Sequence, residues 1–186
     1  MKRIKIVAIV GSLRKESYNR QLALAAKELI GDRADFELLE YHDIPLMNQD
    51  IEYPAPEAIR RVREAVQFAD GIWFFTPEYN HFFPGVLKNL IDWLSRPISD
   101  KEPQVLAGKP AAISGISPGM SGTGLAQDHL VTLISFLNMD VMNAPRVTIP
   151  NAMQELDNQG KLILKTSYSY LEEQADAFIN FVQRRI

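Results

Sequence analysis

The stretch Ile4-Lys5-Ile6-Val7-Ala8-Ile9-Val10-Gly11 decides the fold of this chain. It is apolar apart from one lysine, it is rich in β-branched residues, and it ends at a glycine. Such a run predicts a β-strand that is buried on both faces, as strands of a parallel sheet are. The next residues are polar, and a helical spacing of apolar residues begins at about Tyr18. The opening of the chain therefore predicts a strand, a polar loop and a helix.

Strands and helices alternate along the rest of the chain. The predicted strands are 4–10, 36–41, 71–76, 111–116 and 141–149, and the predicted helices are 18–30, 56–69, 84–95, 124–137 and 168–185. This alternation predicts an α/β protein of stacked βαβ units, with one parallel sheet between two layers of helices. No repeat or linker divides residues 1–186, so we expect a single domain. Ligands of such folds bind at the carboxyl ends of the strands, which makes the loops there the first candidates for a site.

The composition narrows the chemistry. The chain has 20 basic and 23 acidic residues, a balance that argues against nucleic acid or an anionic membrane as a partner. It has no cysteine, which excludes thiol nucleophiles and cysteine-ligated clusters, so any redox chemistry needs a bound cofactor. His42, His81 and His129 show no metal-ligand spacing, and we expect no metal site. The chain runs from Met1 into a strand without an apolar leader, and we expect a cytoplasmic protein.

The loop after the first strand has the composition of a phosphate site. Ser12 and Ser17 supply hydroxyls, Asn19 an amide and Arg14 a guanidinium, beside a helix start whose backbone N–H groups favour anions. The glycine patterns of dinucleotide and Walker loops are absent after Gly11, so a phosphomonoester fits better than a pyrophosphate. The residues equally permit a capped helix start with solvated charges.

The loop after the third predicted strand carries a family resemblance. Residues 77–80 read P-E-Y-N and residues 84–93 read P-G-x-L-K-N-x-I-D-W, following G-S-L-R-x-x-S-x-N at residues 11–19. In this order and spacing, the motifs resemble the NADPH-dependent FMN reductase family, which includes bacterial quinone and chromate reductases. The resemblance continues through residues 106–110 and the glycine-rich residues 117–124 to the last helix.

The resemblance implies a flavodoxin-like three-layer sandwich with a five-stranded parallel sheet in the order 2-1-3-4-5. It implies FMN as cofactor and NADPH or NADH as co-substrate, with hydride passing through the flavin and no catalytic side chain required. The residues that it assigns to the cofactor lie in three loops: Ser12, Arg14, Ser17, Asn19 and Arg20 at the phosphate, Pro77, Glu78, Tyr79 and Asn80 along the isoalloxazine ring, and Ser117 and Gly119 in the fourth loop.

The implied reaction is hydride transfer from NAD(P)H to FMN, followed by reduction of quinones, azo compounds, flavins or metal oxyanions such as chromate. Backbone N–H groups in rigid turns suit the negative charge that a flavin gathers on reduction. The alternative is a flavodoxin-like electron carrier that needs a partner reductase. A net charge of −3 does not suit that alternative, because carriers dock through complementary charge.

Two features of the third loop and its helix lead to further expectations. His81-Phe82-Phe83 stands where the family often has a small or polar residue and an aliphatic one. The two phenylalanines are expected to roof the acceptor site; the alternative is that one or both pack internally or at a subunit interface. The third helix has an apolar face wider than one sheet requires, and the family is typically dimeric or tetrameric. We therefore expect a homodimer or homotetramer; the alternative is that the segment 47–54 covers this helix.

Overall fold

The computed structural model describes residues 3–185, which form one parallel sheet with helices on both faces. The strands are β1 (Ile4–Val10), β2 (Ala34–Leu38), β3 (Gly71–Phe75), β4 (Pro110–Ile116), β5 (Asp140–Val141) and β6 (Val147–Ile149). The helices are α1 (Tyr18–Ile30), α2 (Glu57–Gln67), α3 (Gly85–Leu94), α4 (Gly124–Phe136) and α5 (Tyr168–Gln183). The strand order is β2-β1-β3-β4-β5, with β6 also paired to β4. The predicted flavodoxin-like order is confirmed.

The alternation of side chains along β1 explains the three layers. Ile6 and Ala8 join a core that includes Leu22 of α1 and Phe178 of α5. Val7 and Ile9 face a second core under α2, α3 and α4. Side chains of a strand point to opposite faces in turn, so an uninterrupted apolar run supplies both cores. All these β1 side chains are fully buried. The burial on both faces that the opening run predicts is therefore confirmed.

Two predicted strands differ from the observed ones. The second lies at 34–38 and not at 36–41, because its pairing with β1 begins at Ala34. The predicted fifth strand, 141–149, is two short strands that both pair in parallel with β4. Pro145 lies between them, and its lack of an N–H removes a ladder hydrogen bond. The sheet therefore has six strands in place of the predicted five.

The apolar face of α3 is covered by the same chain. Trp93 is fully buried, and its indole N–H donates to the Pro45 carbonyl at 2.9 Å. Asn89 donates to the same carbonyl at 2.9 Å and accepts from the Met47 N–H at 2.8 Å. Pro45 and Met47 thus lie over α3, so the covering segment begins two residues before the 47–54 of the alternative expectation. The width of this face therefore gives no support for a dimer, and the oligomeric state stays a prediction.

Candidate functional site

Three loops meet at one edge of the sheet. They follow β1, β3 and β4, which are neighbours in the strand order, and we call them the first loop (11–17), the third loop (76–84) and the fourth loop (117–123). The strand order reverses beside β1, which is where open α/β sheets bind ligands. The Gly11 N–H donates to the Phe75 carbonyl at 2.8 Å and so joins the first loop to the end of β3.

The first loop presents hydroxyl and N–H donors at the start of α1. Ser17 caps the helix, and its side chain accepts from the Arg20 N–H at 3.4 Å. The Ser12 hydroxyl accepts from the Arg14 N–H at 3.4 Å. Among residues 3–185, the N–H groups of Leu13, Lys15 and Glu16 have no hydrogen-bond acceptor. Free donors at a helix N-terminus are suited to a phosphate group.

The charged and amide side chains of this region have different partners, although Arg14 and Arg20 line one cavity with Ser12. The exposed Arg14 guanidinium lies over the Tyr18 ring, 5.3 Å from its centre. Arg20 forms an ion pair with Glu40 at 2.6 Å. The Asn19 side chain is 2% exposed and is held by Ile116, the last residue of β4.

Asn19 joins the helix start to the fourth loop through both ends of its amide. Its Nδ2 donates to the Ile116 carbonyl at 2.9 Å, and its Oδ1 accepts from the Ile116 N–H at 3.1 Å. These two hydrogen bonds give Asn19 a contact that the sequence motif alone did not predict. Its predicted role at the phosphate stays a prediction.

The third loop is a tight two-residue turn. Tyr79 and Phe82 exchange backbone hydrogen bonds of 2.9 and 3.0 Å, and the central residues Asn80 and His81 have φ values of 53° and 64°. Positive φ at both central positions is the pattern of a type I′ turn, in which asparagine is favoured. The N–H groups of Glu78 and Asn80 have no acceptor within the described part of the chain. The turn therefore fixes the backbone while it leaves donors free.

The fourth loop is supported by the segment after β6. Its Ser117 and Gly119 carbonyls accept from the N–H groups of Ala152 and Asn151 at 3.0 and 3.1 Å. The Ser117 hydroxyl donates to the Gly122 carbonyl at 2.5 Å, so this side chain holds the loop. The N–H of Gly119 has no acceptor in residues 3–185. Two carbonyls of the loop are thus bonded to the segment after β6, while the Gly119 N–H stays free.

The two phenylalanines of the third loop have different environments. Phe83 is 4% exposed and belongs to the core beneath α3, so the expectation that it roofs an acceptor site is wrong. Phe82 is 44% exposed, and its ring stacks on His129 of α4 with the ring centres 4.3 Å apart. Of the two phenylalanines, only Phe82 is therefore exposed.

A largely apolar cavity of about 540 Å³ opens between the first and third loops. Leu13, Leu46, Tyr79 and Val86 are among its lining residues. Its asparagine, Asn89, is already engaged by the segment that covers α3. The cavity therefore offers apolar surface and few free polar groups.

The donor set of the three loops fits FMN. The first loop has hydroxyls and free N–H groups for a phosphomonoester, and the third and fourth loops have free N–H groups for the polar edge of a flat ring. Gly122, with φ of 62°, is approached by the backbone of Ile149, so that loop is tightly packed against β6. Fixed N–H donors are the chemistry that a ring gathering negative charge requires.

Comparison with known proteins gives the family. The model of the NADPH-dependent FMN reductase family matches residues 4–154. The chain is 41% identical over 182 residues to an NAD(P)H-dependent FMN reductase of Pseudomonas aeruginosa, covering 97% of this chain and 96% of that protein. It is 37% identical over 182 residues to a 2-hydroxy-1,4-benzoquinone reductase of a Burkholderia species, covering 98% of both.

A solved structure agrees with these relatives. The flavoenzyme NAD(P)H:(acceptor) oxidoreductase FerB of Paracoccus denitrificans superimposes with a TM-score of 0.88 and 32% identity, covering 98% of each chain. The predictions of family, fold, enzyme class and cofactor are thereby confirmed. The chain belongs to the NADPH-dependent FMN reductase family and is an oxidoreductase with FMN as cofactor and NAD(P)H as electron donor.

Proposed function

We propose that this protein takes hydride from NAD(P)H and reduces quinones, with azo compounds, free flavins and oxyanions such as chromate as further acceptors. The observation that carries the proposal is the set of free N–H groups in three braced loops that meet at one edge of the sheet. When bound there, FMN supplies the redox chemistry, taking two electrons as hydride and passing them to the acceptor. The protein's own contribution is to bind and orient FMN and the acceptor and to stabilise the charge that develops on the flavin.

The residues divide into those that contact the cofactor and those that hold the contacts in place. We assign Ser12, Arg14 and Ser17 to the phosphate, since their donors are free to face it. We assign Asn19 to the spacing of the first and fourth loops, because Ile116 occupies its amide. Arg20 stays tied to Glu40, so its contribution to the phosphate is through charge.

The isoalloxazine ring is assigned to the third and fourth loops. Pro77, Glu78, Tyr79 and Asn80 present mainly backbone groups, and their turn is closed by two hydrogen bonds. Gly119 approaches from the opposite loop with a free N–H, and Ser117 keeps that loop in shape. Donors fixed in this way stabilise charge on the ring without reorganising when it is reduced.

The cavity beside Tyr79 favours flat apolar acceptors. Its lining offers aliphatic and aromatic surface, on which a quinone ring can stack and an oxyanion gains little. Phe82 is not among the residues that line this cavity, and it offers a second exposed ring, stacked on His129. We expect Phe82→Ser to lower kcat/KM for large quinones more than for chromate; equal effects on the two acceptors would contradict this assignment.

The first test is a visible spectrum of the purified protein, followed by anaerobic addition of NADPH and then NADH. Yellow protein that either nucleotide bleaches, with FMN released on denaturation, supports the reductase. Yellow protein that neither nucleotide bleaches favours a carrier fed by another enzyme. Colourless protein that takes up no added FMN would sink the proposal.

A homodimer or homotetramer is part of the proposal and is tested by light scattering. The monomer mass is 21.0 kDa, so a measured mass near that value would contradict it. Exposed apolar side chains at the mouth of the cavity, Leu46 at 82% and Tyr79 at 52%, support an interface there. Within residues 3–185, no helix is both long enough and apolar enough to cross a bilayer. The cytoplasmic location stays a prediction.

A further inference from the structure

The side chain of Glu78 points away from the exposed side of its own loop. Its side chain is 8% exposed, although the adjacent Tyr79 is 52% exposed. Its Oε2 accepts from the Ala126 N–H at 3.1 Å, and its Oε1 lies 3.5 Å from Nδ1 of His81. A carboxylate of the third loop is thus buried against the first turn of α4.

Helix α4 has no comparable cap of its own. Its N-cap residue, Thr123, makes no side-chain hydrogen bond to the free N–H groups, and the first turn contains no acidic residue. The Thr123 hydroxyl instead accepts from Gln127 at 3.0 Å. A helix N-terminus favours a carboxylate on its free N–H groups, and Glu78 supplies one from 48 residues away in sequence.

This contact joins the two loops assigned to the flavin ring. The fourth loop leads directly into α4, so a bond to the first turn of α4 fixes where that loop ends. In the part of the chain that the structure describes, Glu78–Ala126 is the one side-chain hydrogen bond between residues 77–83 and residues 117–137. The stack of Phe82 on His129 lies on the same side of the turn.

We propose that Glu78 is a positioning residue for the flavin ring, a role that rests on the function proposed above. Its side chain holds the third loop at a fixed distance from the fourth, so that the free N–H groups of both loops meet one flat ring. The backbone of the P-E-Y-N motif faces the ligand, and the glutamate side chain sets the width of the site from behind. Without the hydrogen bond between Glu78 and Ala126, the two loops become ordered only when the ring binds, and the free-energy cost of ordering them weakens binding.

The test compares Glu78→Ala with Glu78→Gln, and Glu173→Gln on the exposed face of α5 is the control for loss of one charge. Flavin fluorescence gives Kd for FMN and for riboflavin, and amide hydrogen exchange reports on the Ala126 N–H. We expect the alanine variant to weaken both ligands by the same factor, about tenfold for one charge-assisted hydrogen bond. The glutamine variant keeps an acceptor and should stay within about threefold of the unmodified protein.

The outcomes separate this role from the others. An equal loss for the two ligands, with faster exchange at Ala126 and rescue by glutamine, supports positioning. Unchanged FMN binding by Glu78→Ala, or a loss confined to FMN, overturns it. If Glu78→Ala does not fold, Glu78→Asp takes its place in the comparison with Glu78→Gln. The shorter aspartate loses the hydrogen bond from the Ala126 N–H, whereas glutamine keeps it, so the same ratio of Kd values for FMN and riboflavin decides. An unmodified protein that binds neither flavin overturns the proposed function itself, and with it this role.

Discussion

Replacement of Asn19 by alanine should lower both the stability of the FMN-free protein and its affinity for FMN. The side chain is 2% exposed and makes two hydrogen bonds with the backbone of Ile116. Alanine leaves a buried N–H and a buried carbonyl without these partners, and each such loss costs about 1–3 kcal/mol. Partial relaxation of the site lowers the sum, so we expect a loss of about 2–4 kcal/mol in the free energy of unfolding.

The assay is urea unfolding of the FMN-free and FMN-saturated protein, together with a titration of FMN. Asn180→Ala on the exposed side of α5 is the control, and should change the free energy of unfolding by less than about 0.5 kcal/mol. Asn19→Asp is a second probe, since it keeps an acceptor for the Ile116 N–H but sets an oxygen against the Ile116 carbonyl. It should therefore be no more stable than the alanine variant.

The two roles considered for Asn19 give different results. If Asn19 acts only as a phosphate ligand, Asn19→Ala weakens FMN binding and leaves the FMN-free protein as stable as the unmodified chain. If it positions the first and fourth loops, both quantities fall. An unchanged free energy of unfolding without FMN would therefore refute the positioning role argued from Ile116.

Three further predictions concern residues that support the site or the fold. Gly115→Ala should destabilise the protein by about 1–3 kcal/mol in urea unfolding, because a Cβ would overlap Thr123 and a backbone carbonyl of the third loop. Removal of the Thr123 side chain should not restore stability, since the backbone clash persists. A hydrogen bond from Arg96 lowers the pKa of Glu52 below its usual value of about 4.5. The pair therefore stabilises the folded state at pH values above about 4.5, and this stabilisation is lost as the pH falls through the lowered pKa. Glu52→Gln should therefore flatten the acid limb of stability against pH, and an unchanged slope would contradict this. Burial lowers the pKa of Lys109, whose ammonium donates to the carbonyls of Gln67, at the end of α2, and Ala69, just beyond it. Lys109→Met should lower the free energy of unfolding by about 1–2 kcal/mol in thermal unfolding. An unchanged stability would contradict a stabilising role of these two hydrogen bonds.

The central strands could be predicted from the sequence because burial on both faces leaves an uninterrupted apolar run. Both β1 and β3 lie within a residue of their predicted bounds for this reason. Edge strands carry a weaker signal. The limits of β2 depend on its register with β1, and β5 and β6 are so short that only their pairing with β4 defines them. Register is a property of the partner strand, which a local pattern does not contain.

The candidate site shows the same division between local and long-range information. The motifs at 11–19 and 77–80 place polar residues directly after strands, and this placement is visible in sequence. The contact partner of each of these side chains is not visible in the sequence. Asn19 and Ile116 are 97 residues apart, and the segment that supports the fourth loop does so through backbone N–H groups of Asn151 and Ala152. Backbone donors carry no residue signature, so a motif search has nothing to find there.

These long-range contacts explain how exposed loops can act as a rigid binding surface. A loop that offers free N–H groups to a ligand gives up the backbone hydrogen bonds that would order it. Here the start of α1, which directly follows the first loop, is held through Asn19, the third loop through Glu78 and the fourth loop through residues 151–152. Each tie uses atoms other than the free N–H groups, so those donors stay free while the backbone is held. The parallel sheet brings the three loops together, and in the roles proposed here the side chains of Asn19 and Glu78 set the distances on which charge stabilisation at a flavin depends.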